Sequence, residues 1–249
     1  MFPSKNFKHI YEGRMTPFKI VGNLYFVGSY CESSHLIDTG DGLILIDTGN
    51  IDVLHLIVNS IYELGFKPQD IKYIINTHWH WDHAEGSGSL AHLAGAKTII
   101  GRRDAENVRR YFEPDILISD GDKLELGNTV ISFMETPGHT EGTLSFFFDV
   151  TEGDKTYRVG MFGGAGANTL VPGELCYEGN REDYRASINR LRKEKVDVFI
   201  GNHVWNNDTE AKGKILLETG ENRFIDDKLW GEFLDFCEKR LDKIIENEK

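Results

Sequence analysis

The sequence predicts an α/β protein that carries its chemistry at the ends of its strands, and three observations point there. Short apolar runs, Leu43-Ile44-Leu45-Ile46 above all, have the continuous character of strands buried on both faces. Between such runs lie segments of helical period, the clearest being Val53, Leu56, Ile57, Ile61 and Leu64. Directly after two of the runs come clusters of polar, reactive residues: Asp47-Thr48-Gly49-Asn50, and then Thr77-His78-Trp79-His80-Trp81-Asp82-His83. A chain of 249 residues could make one large domain or two small ones. No linker, repeat or low-complexity stretch divides it, so a single domain over 1–249 is expected.

In order, residues 18–27 read as β-structure turned at Gly22-Asn23, with Tyr25, Phe26 and Val27 as β-formers. Residues 28–34 read as a hairpin loop, 35–38 resume the sheet, and Asp41-Gly42 is a turn before the Leu43 strand. Asp52 is the expected cap of the helix that Gly65 closes, and Pro68 breaks the chain before the strand from Ile71. A short helix around Leu90, Leu93 and Ala94, a strand at 97–100 and a helix at 104–110 follow. Strands are expected at 129–135, 143–150 and 157–162, then a glycine-rich loop from Gly163 to Gly179. Asn180 caps a helix through Tyr184, Ile188 and Leu191, a strand spans 196–200, and the tail from about 223 to 247 is helical. Its apolar stripe of Leu229, Phe233, Phe236, Leu241 and Ile244 suits the core and a partner equally, which leaves the oligomeric state open.

The segment 78–83 packs three histidines and an aspartate into six positions. Imidazole nitrogen and carboxylate oxygen are the donors zinc takes outside cysteine sites. Residues two apart on extended chain project to one side, so His78 and His80 can converge on one ion. Asp82 and His83, just past a bend, can face another. Histidines can also gather on a solvated loop, but four ligand-type residues at the end of a buried strand favour a metal site. His139 and His203 each follow a predicted strand, where α/β proteins place ligands. His9, His35, His55 and His92 lack that placement and are expected in structural or surface roles.

The net charge of −12 argues against a nucleic-acid partner and against docking on anionic membranes. Metal ions would offset it locally. Cys31, Cys176 and Cys237 are odd in number and widely spaced, as suits free thiols in a reducing compartment. No apolar signal core stands near Met1 and no run is long enough to span a bilayer, so a cytoplasmic protein is expected.

Leu45-Ile46-Asp47-Thr48-Gly49, the H-x-H-x-D-H motif, Pro137-Gly138-His139-Thr140 and Gly201-Asn202-His203 together resemble the metallo-β-lactamase fold superfamily, from Phe18 to about Lys214. The resemblance implies a four-layer αββα sandwich with metals at one edge of its two sheets. It implies that His78, His80 and His139 hold a first Zn2+, and Asp82, His83 and His203 a second, with Fe2+ or Mn2+ as other possible metals. Most hydrolases of the superfamily bridge their metals with an aspartate after a later strand, where this chain has Gly163-Gly164-Ala165. It is similar in this to the subclass of metallo-β-lactamases whose second zinc is held by aspartate and two histidines. The N-terminal stretch 17–28 looks like that subclass too.

The implied activity is hydrolysis of an amide, lactam, ester or related bond in a small molecule. Two metals make hydroxide available near neutral pH, and Asp82 is the catalytic residue that orients it. A true β-lactamase is the nearest alternative, and a non-catalytic metal-binding protein is the contrasting class. A nuclease fits poorly with the acidity. An iron redox enzyme would show a carboxylate in place of a motif histidine. Asp47 is a candidate supporting residue; Tyr30, Asn168, Thr169 and Tyr177 are candidate substrate contacts. Trp79 and Trp81 are expected to brace the ligand loop rather than bind.

Overall fold

A computed structural model describes residues 7–30, 32–174 and 178–248. Cys31, Cys176 and Tyr177 therefore lie outside the described residues. Two sheets build the molecule. The first runs in spatial order β1 (Phe18–Val21), β2 (Leu24–Phe26), β3 (His35–Asp38), β4 (Leu43–Ile46), β5 (Ile71–Ile75), β6 (Lys97–Gly101) and β7 (Ile116–Ile118). Its first four strands pair antiparallel, through short turns after β1 and β3 and the 27–34 loop after β2, with Gly22 at φ 56° in the first turn. From β4 onward the pairing is parallel, because the connections cross over. These crossovers hold α1 (Leu54–Glu63), then α2 (Trp81–Ala84) with α3 (Ser87–Ala94), then α4 (Ala105–Val108).

The second sheet is laid out by β8 (Lys123–Leu126), β9 (Thr129–Glu135), β10 (Leu144–Glu152), β11 (Lys155–Met161) and β12 (Val198–Phe199). All pair antiparallel except β12, which joins β11 in parallel after α5 (Arg181–Leu191). Two more helices, α6 (Thr209–Thr219) and α7 (Leu229–Glu246), complete the chain.

Apolar contacts define four layers. Ile20, Phe26, Ile44, Ile46 and Ile75 from the first sheet meet Ile131, Phe146, Phe148 and Val159 from the second, all nearly fully buried. Helices α1 and α3 cover the outer face of the first sheet through Leu56, Ile57, Ile61 and Leu90. Helices α5 and α7 cover the second through Tyr184, Ile188, Leu191, Trp230, Phe233 and Leu234. This is the expected αββα sandwich.

Local differences have local causes. The first helix starts at Leu54, and Asn50 rather than Asp52 takes up its opening N–H groups, accepting from Asp52 and Val53. The helix expected at 104–110 is a single turn, and the strand expected at 196–200 shortens to two residues. On α7 the buried face runs through Trp230, Phe233, Leu234, Cys237 and Leu241. Phe236 falls about one residue's rotation off it and is 51% exposed. No helix among the described residues is long and apolar enough to cross a membrane.

Candidate metal centre

The C-terminal ends of β4, β5, β9, β11 and β12 open onto one edge of the sandwich, because β9, β11 and β12 run the same way. That edge receives Asp47, the 77–83 segment, His139, Gly163 and His203. The six candidate ligands come together there. One nitrogen each from His78, His80 and His139 lie within 4.8 Å of one another, as do ligand atoms of His78, Asp82 and His83. His80 Nδ1 is 3.0 Å from His139 Nε2. His83 Nε2 is 3.2 Å from His203 Nε2, and Asp82 Oδ2 lies 3.5 and 3.6 Å from those two nitrogens. His9, His55 and His92 are exposed and remote, while His35 is buried against Phe26 in β3.

Hydrogen bonds on the far side of the rings decide which nitrogens carry protons. His139 Nδ1–H donates to the Gly166 carbonyl at 2.7 Å, and His80 Nε2–H donates to Glu178 at 2.5 Å. His83 Nδ1–H donates to Asp47 Oδ2 at 2.8 Å. Thr77 Oγ1–H is spent on the same Asp47 oxygen, so it accepts from His78 Nδ1–H at 3.1 Å. The inward nitrogens of His78, His80 and His139 are then lone-pair donors facing one another. His78 Nε2 is fully buried and has no hydrogen-bond partner, an arrangement proteins rarely leave unfilled. A cation among these lone pairs resolves it, so the donor set fits a divalent metal.

Electrostatics agree for His78 and His139. Burial, reinforced by the neighbouring imidazoles, holds His78 and His139 well below the usual histidine range and therefore neutral. At His83 burial also pulls down, but Asp82 and Asp47 outweigh it and raise the pKa to about 9. An incoming ion would displace that proton.

Asp47 anchors this network at a cost. It is fully buried, sits at φ 56°, and also accepts the Thr77 N–H at 2.8 Å. Its left-handed backbone turns the carboxylate back under His83 and Thr77.

Two supporting residues have no signal in the sequence. Glu178 braces His80 from 98 positions away. Asp104, 1% exposed, accepts from Trp79 N–H, Thr140 Oγ1–H and Gly142 N–H, tying the His78–His80 segment to the His139 loop.

A Cβ on Gly163 would lie 2.0 Å from the Leu144 carbonyl, and one on Gly164 would crowd Thr143 and His139. Neither position has room for a bridging carboxylate. A cleft of about 630 Å³ opens over the cluster, walled by Trp79, Trp81, Arg110, Tyr111, Asn168, Glu178 and Trp205. Asn168 thus faces it as anticipated, whereas Thr169 is buried against His139 Nδ1 and Tyr30 packs on Phe7. Trp79 is half-buried and braces the loop; Trp81 is 54% exposed and does not.

The metallo-beta-lactamase superfamily model matches residues 32–203. The chain belongs to that superfamily. Among solved structures it is similar to BJP-1, a subclass B3 metallo-beta-lactamase of Bradyrhizobium japonicum. The two share 30% identity over 95% of this chain and 96% of the other, with a TM-score of 0.86. It is also similar to LRA-12, a class B3 di-zinc metallo-beta-lactamase from an Alaskan soil metagenome, at 28% identity over 97% and 98% of the chains and a TM-score of 0.82. A curated relative, hydroxyacylglutathione hydrolase of Hyphomonas neptunium, is 28% identical over 68% of this chain and 60% of its own length. The chain spans about half to three fifths of the first curated relatives it matches.

Proposed function

We propose that the protein is a dinuclear zinc hydrolase acting on a carbonyl bond of a small molecule: an amide, lactam, ester or similar group. His78, His80 and His139 hold one ion, and Asp82, His83 and His203 hold the other; Fe2+ and Mn2+ are the alternative metals. The observation that carries this reading is the partnerless buried Nε2 of His78, set beside the rings of His80 and His139, whose protons point outward. Divalent ions held by such a donor set would supply water activation near neutral pH and polarisation of a carbonyl.

The chain's own residues supply the rest. Burial works to raise the Asp82 pKa, but His83 and His203 outweigh it and hold the carboxyl below its ordinary range. It is therefore ionised at neutral pH and faces the cleft, where it can orient water and accept its proton. Asp47, Thr77, Gly166 and Glu178 keep four imidazoles in the tautomers that present lone pairs inward. The cleft has the size of a small-molecule site. Residues 1–249 act as one domain in this reading, with α7 packed on the second sheet. The free, buried Cys237 suits the cytoplasm.

A β-lactam as substrate is a second reading. It is favoured by the near-complete coverage of this chain by two proteins described as B3 metallo-beta-lactamases. Elemental analysis beside turnover of a chromogenic cephalosporin and of a generic ester tests both. Two zinc ions per chain and chelator-sensitive hydrolysis are expected. Absence of metal, or hydrolysis that survives exhaustive chelation, would overturn the proposal; turnover confined to the ester would remove the lactam reading.

A further inference from the structure

Among the described residues lining the cleft, Arg110 supplies the lysine or arginine charge. Its surroundings set it apart in this chain. Acids outnumber bases 40 to 28, and several arginines elsewhere are taken up by carboxylates. Arg109 binds Glu106 and Glu113, Arg190 binds Asp120, and Arg192 binds Asp235 and Glu238. The contacts of Arg110 are with neutral groups instead. Its Nε donates to the Asn107 carbonyl at 3.0 Å, its guanidinium carbon lies 4.5 Å from the centre of a Trp79 ring, and the Tyr111 side chain hydrogen-bonds to it. The acids of the same cleft face elsewhere, Glu178 to His80 and Asp82 to His83 and His203.

Position gives this cation a use. Trp79 stands between His78 and His80 in the chain, and its ring is 4.7 Å from that of His80. The two ring distances keep the guanidinium within roughly 10 Å of the His80 ring. A guanidinium stacked on indole and tied at Nε is already oriented, so engaging a ligand costs it little further rotamer freedom. The exposed Trp81 and the half-buried Tyr111 border the same cleft and offer apolar surface beside it. A planar fork of donors can meet both oxygens of a carboxylate in parallel.

We propose that Arg110 is a specificity-determining residue that receives a carboxylate at the far end of the substrate. The substrate class is then a small acyl compound with a hydrolysable carbonyl at one end and a carboxylate a few bonds away. This rests on the hydrolase reading of the metal centre.

The test uses metal-loaded protein and two esters of equal chain length, the mono-p-nitrophenyl ester of glutaric acid and p-nitrophenyl valerate. Wild type should prefer the anionic ester in kcat/KM. Arg110→Met should lower that preference at least about tenfold, as loss of a charge-assisted contact predicts, mainly through KM. Arg110→Lys should recover part of it, having the charge without the fork. Calorimetric binding of glutarate should weaken in the same order. Lack of an anionic preference in wild type, or an equal fall on both esters in Arg110→Met, would overturn the assignment. If no ester is turned over but glutarate binding still drops tenfold in Arg110→Met, the hydrolase reading fails and the carboxylate subsite stands. If both esters are turned over and neither the ratio nor glutarate binding moves, the subsite fails and the hydrolase stands.

Discussion

Asp104 lets a buried charge be weighed against the loops it holds. Its carboxylate is 1% exposed and accepts from Trp79 N–H at 3.1 Å, Thr140 Oγ1–H at 2.8 Å and Gly142 N–H at 2.7 Å. Burial raises its pKa from 3.8 to about 6, against the pull of those three donors. A carboxyl whose folded pKa exceeds its unfolded one binds its proton more tightly in the native state. Stability is therefore greatest below about pH 4 and falls as pH rises through about 6. At about 1.4 kcal/mol per unit the whole shift is worth about 3 kcal/mol, and about half of it falls between pH 5 and pH 7.5. Asp104→Asn keeps the shape and has no proton to exchange. It also loses one acceptor, but that deficit is the same at every pH. The gap in unfolding free energy between wild type and variant should therefore move by about 1.4 kcal/mol in favour of the variant between pH 5 and pH 7.5. Urea unfolding of both proteins in the presence of chelator at the two pH values measures it. A gap that stays constant to within about 0.5 kcal/mol would refute the claim that Asp104 carries an uncompensated burial cost.

Three further outcomes are expected. Asp47→Ala should be less stable than Asp47→Gly by about 1 kcal/mol or more, because alanine inherits the left-handed backbone at φ 56° without relief; equal unfolding midpoints would dismiss the strain. Asp82→Ala should lower kcat by about 10²–10⁴-fold while shifting the thermal midpoint little, as a partly exposed proton acceptor should; near wild-type turnover with metal retained would show that Asp82 has another role. His203→Ala should bind one ion instead of two by elemental analysis, since that half of the cluster has three protein donors and no space for a carboxylate at Gly163 or Gly164; two tightly held ions would show that the second site is built otherwise.

How much of this was legible beforehand follows from the range of the interactions involved. The strand Leu43–Ile46 and the helix Leu54–Glu63 announce themselves because burial on two faces or on one stripe imposes a local period. Strand β7 is only three residues long and two of them are half-buried, so it carries almost no pattern. In β8 the sequence Lys123-Leu124-Glu125-Leu126 alternates weakly, as an edge strand can. Helix α6 has Gly213 at its middle and no pronounced apolar face, because it lies over β1 with Gly213 against the Phe18 ring. Its helicity is a product of packing rather than of propensity.

At the metal centre the same distinction separates donors from supports. His78, His80, Asp82 and His83 are adjacent because one strand end can present several donors to one point. Asp47 is detectable as a strand-end carboxylate, but its grip on His83 spans 36 positions. Asp104 and Glu178 are single acids in ordinary surroundings, and only the meeting of β6, β9 and the 165–179 loop brings them to Trp79 and His80. Each holds a ring or a loop rather than an ion, so no spacing rule constrains where in the chain it stands. Arg110 belongs with them: two of its contacts, Asn107 and Tyr111, are local, but its seat on Trp79 depends on α4 docking beside the 77–83 segment. Donors to a common metal share a geometric requirement that can condense into a motif, whereas second contacts need only arrive, and any element that reaches the edge can supply them. Fine control of the site, including what it accepts, is therefore read from packing even where its chemistry is read from sequence.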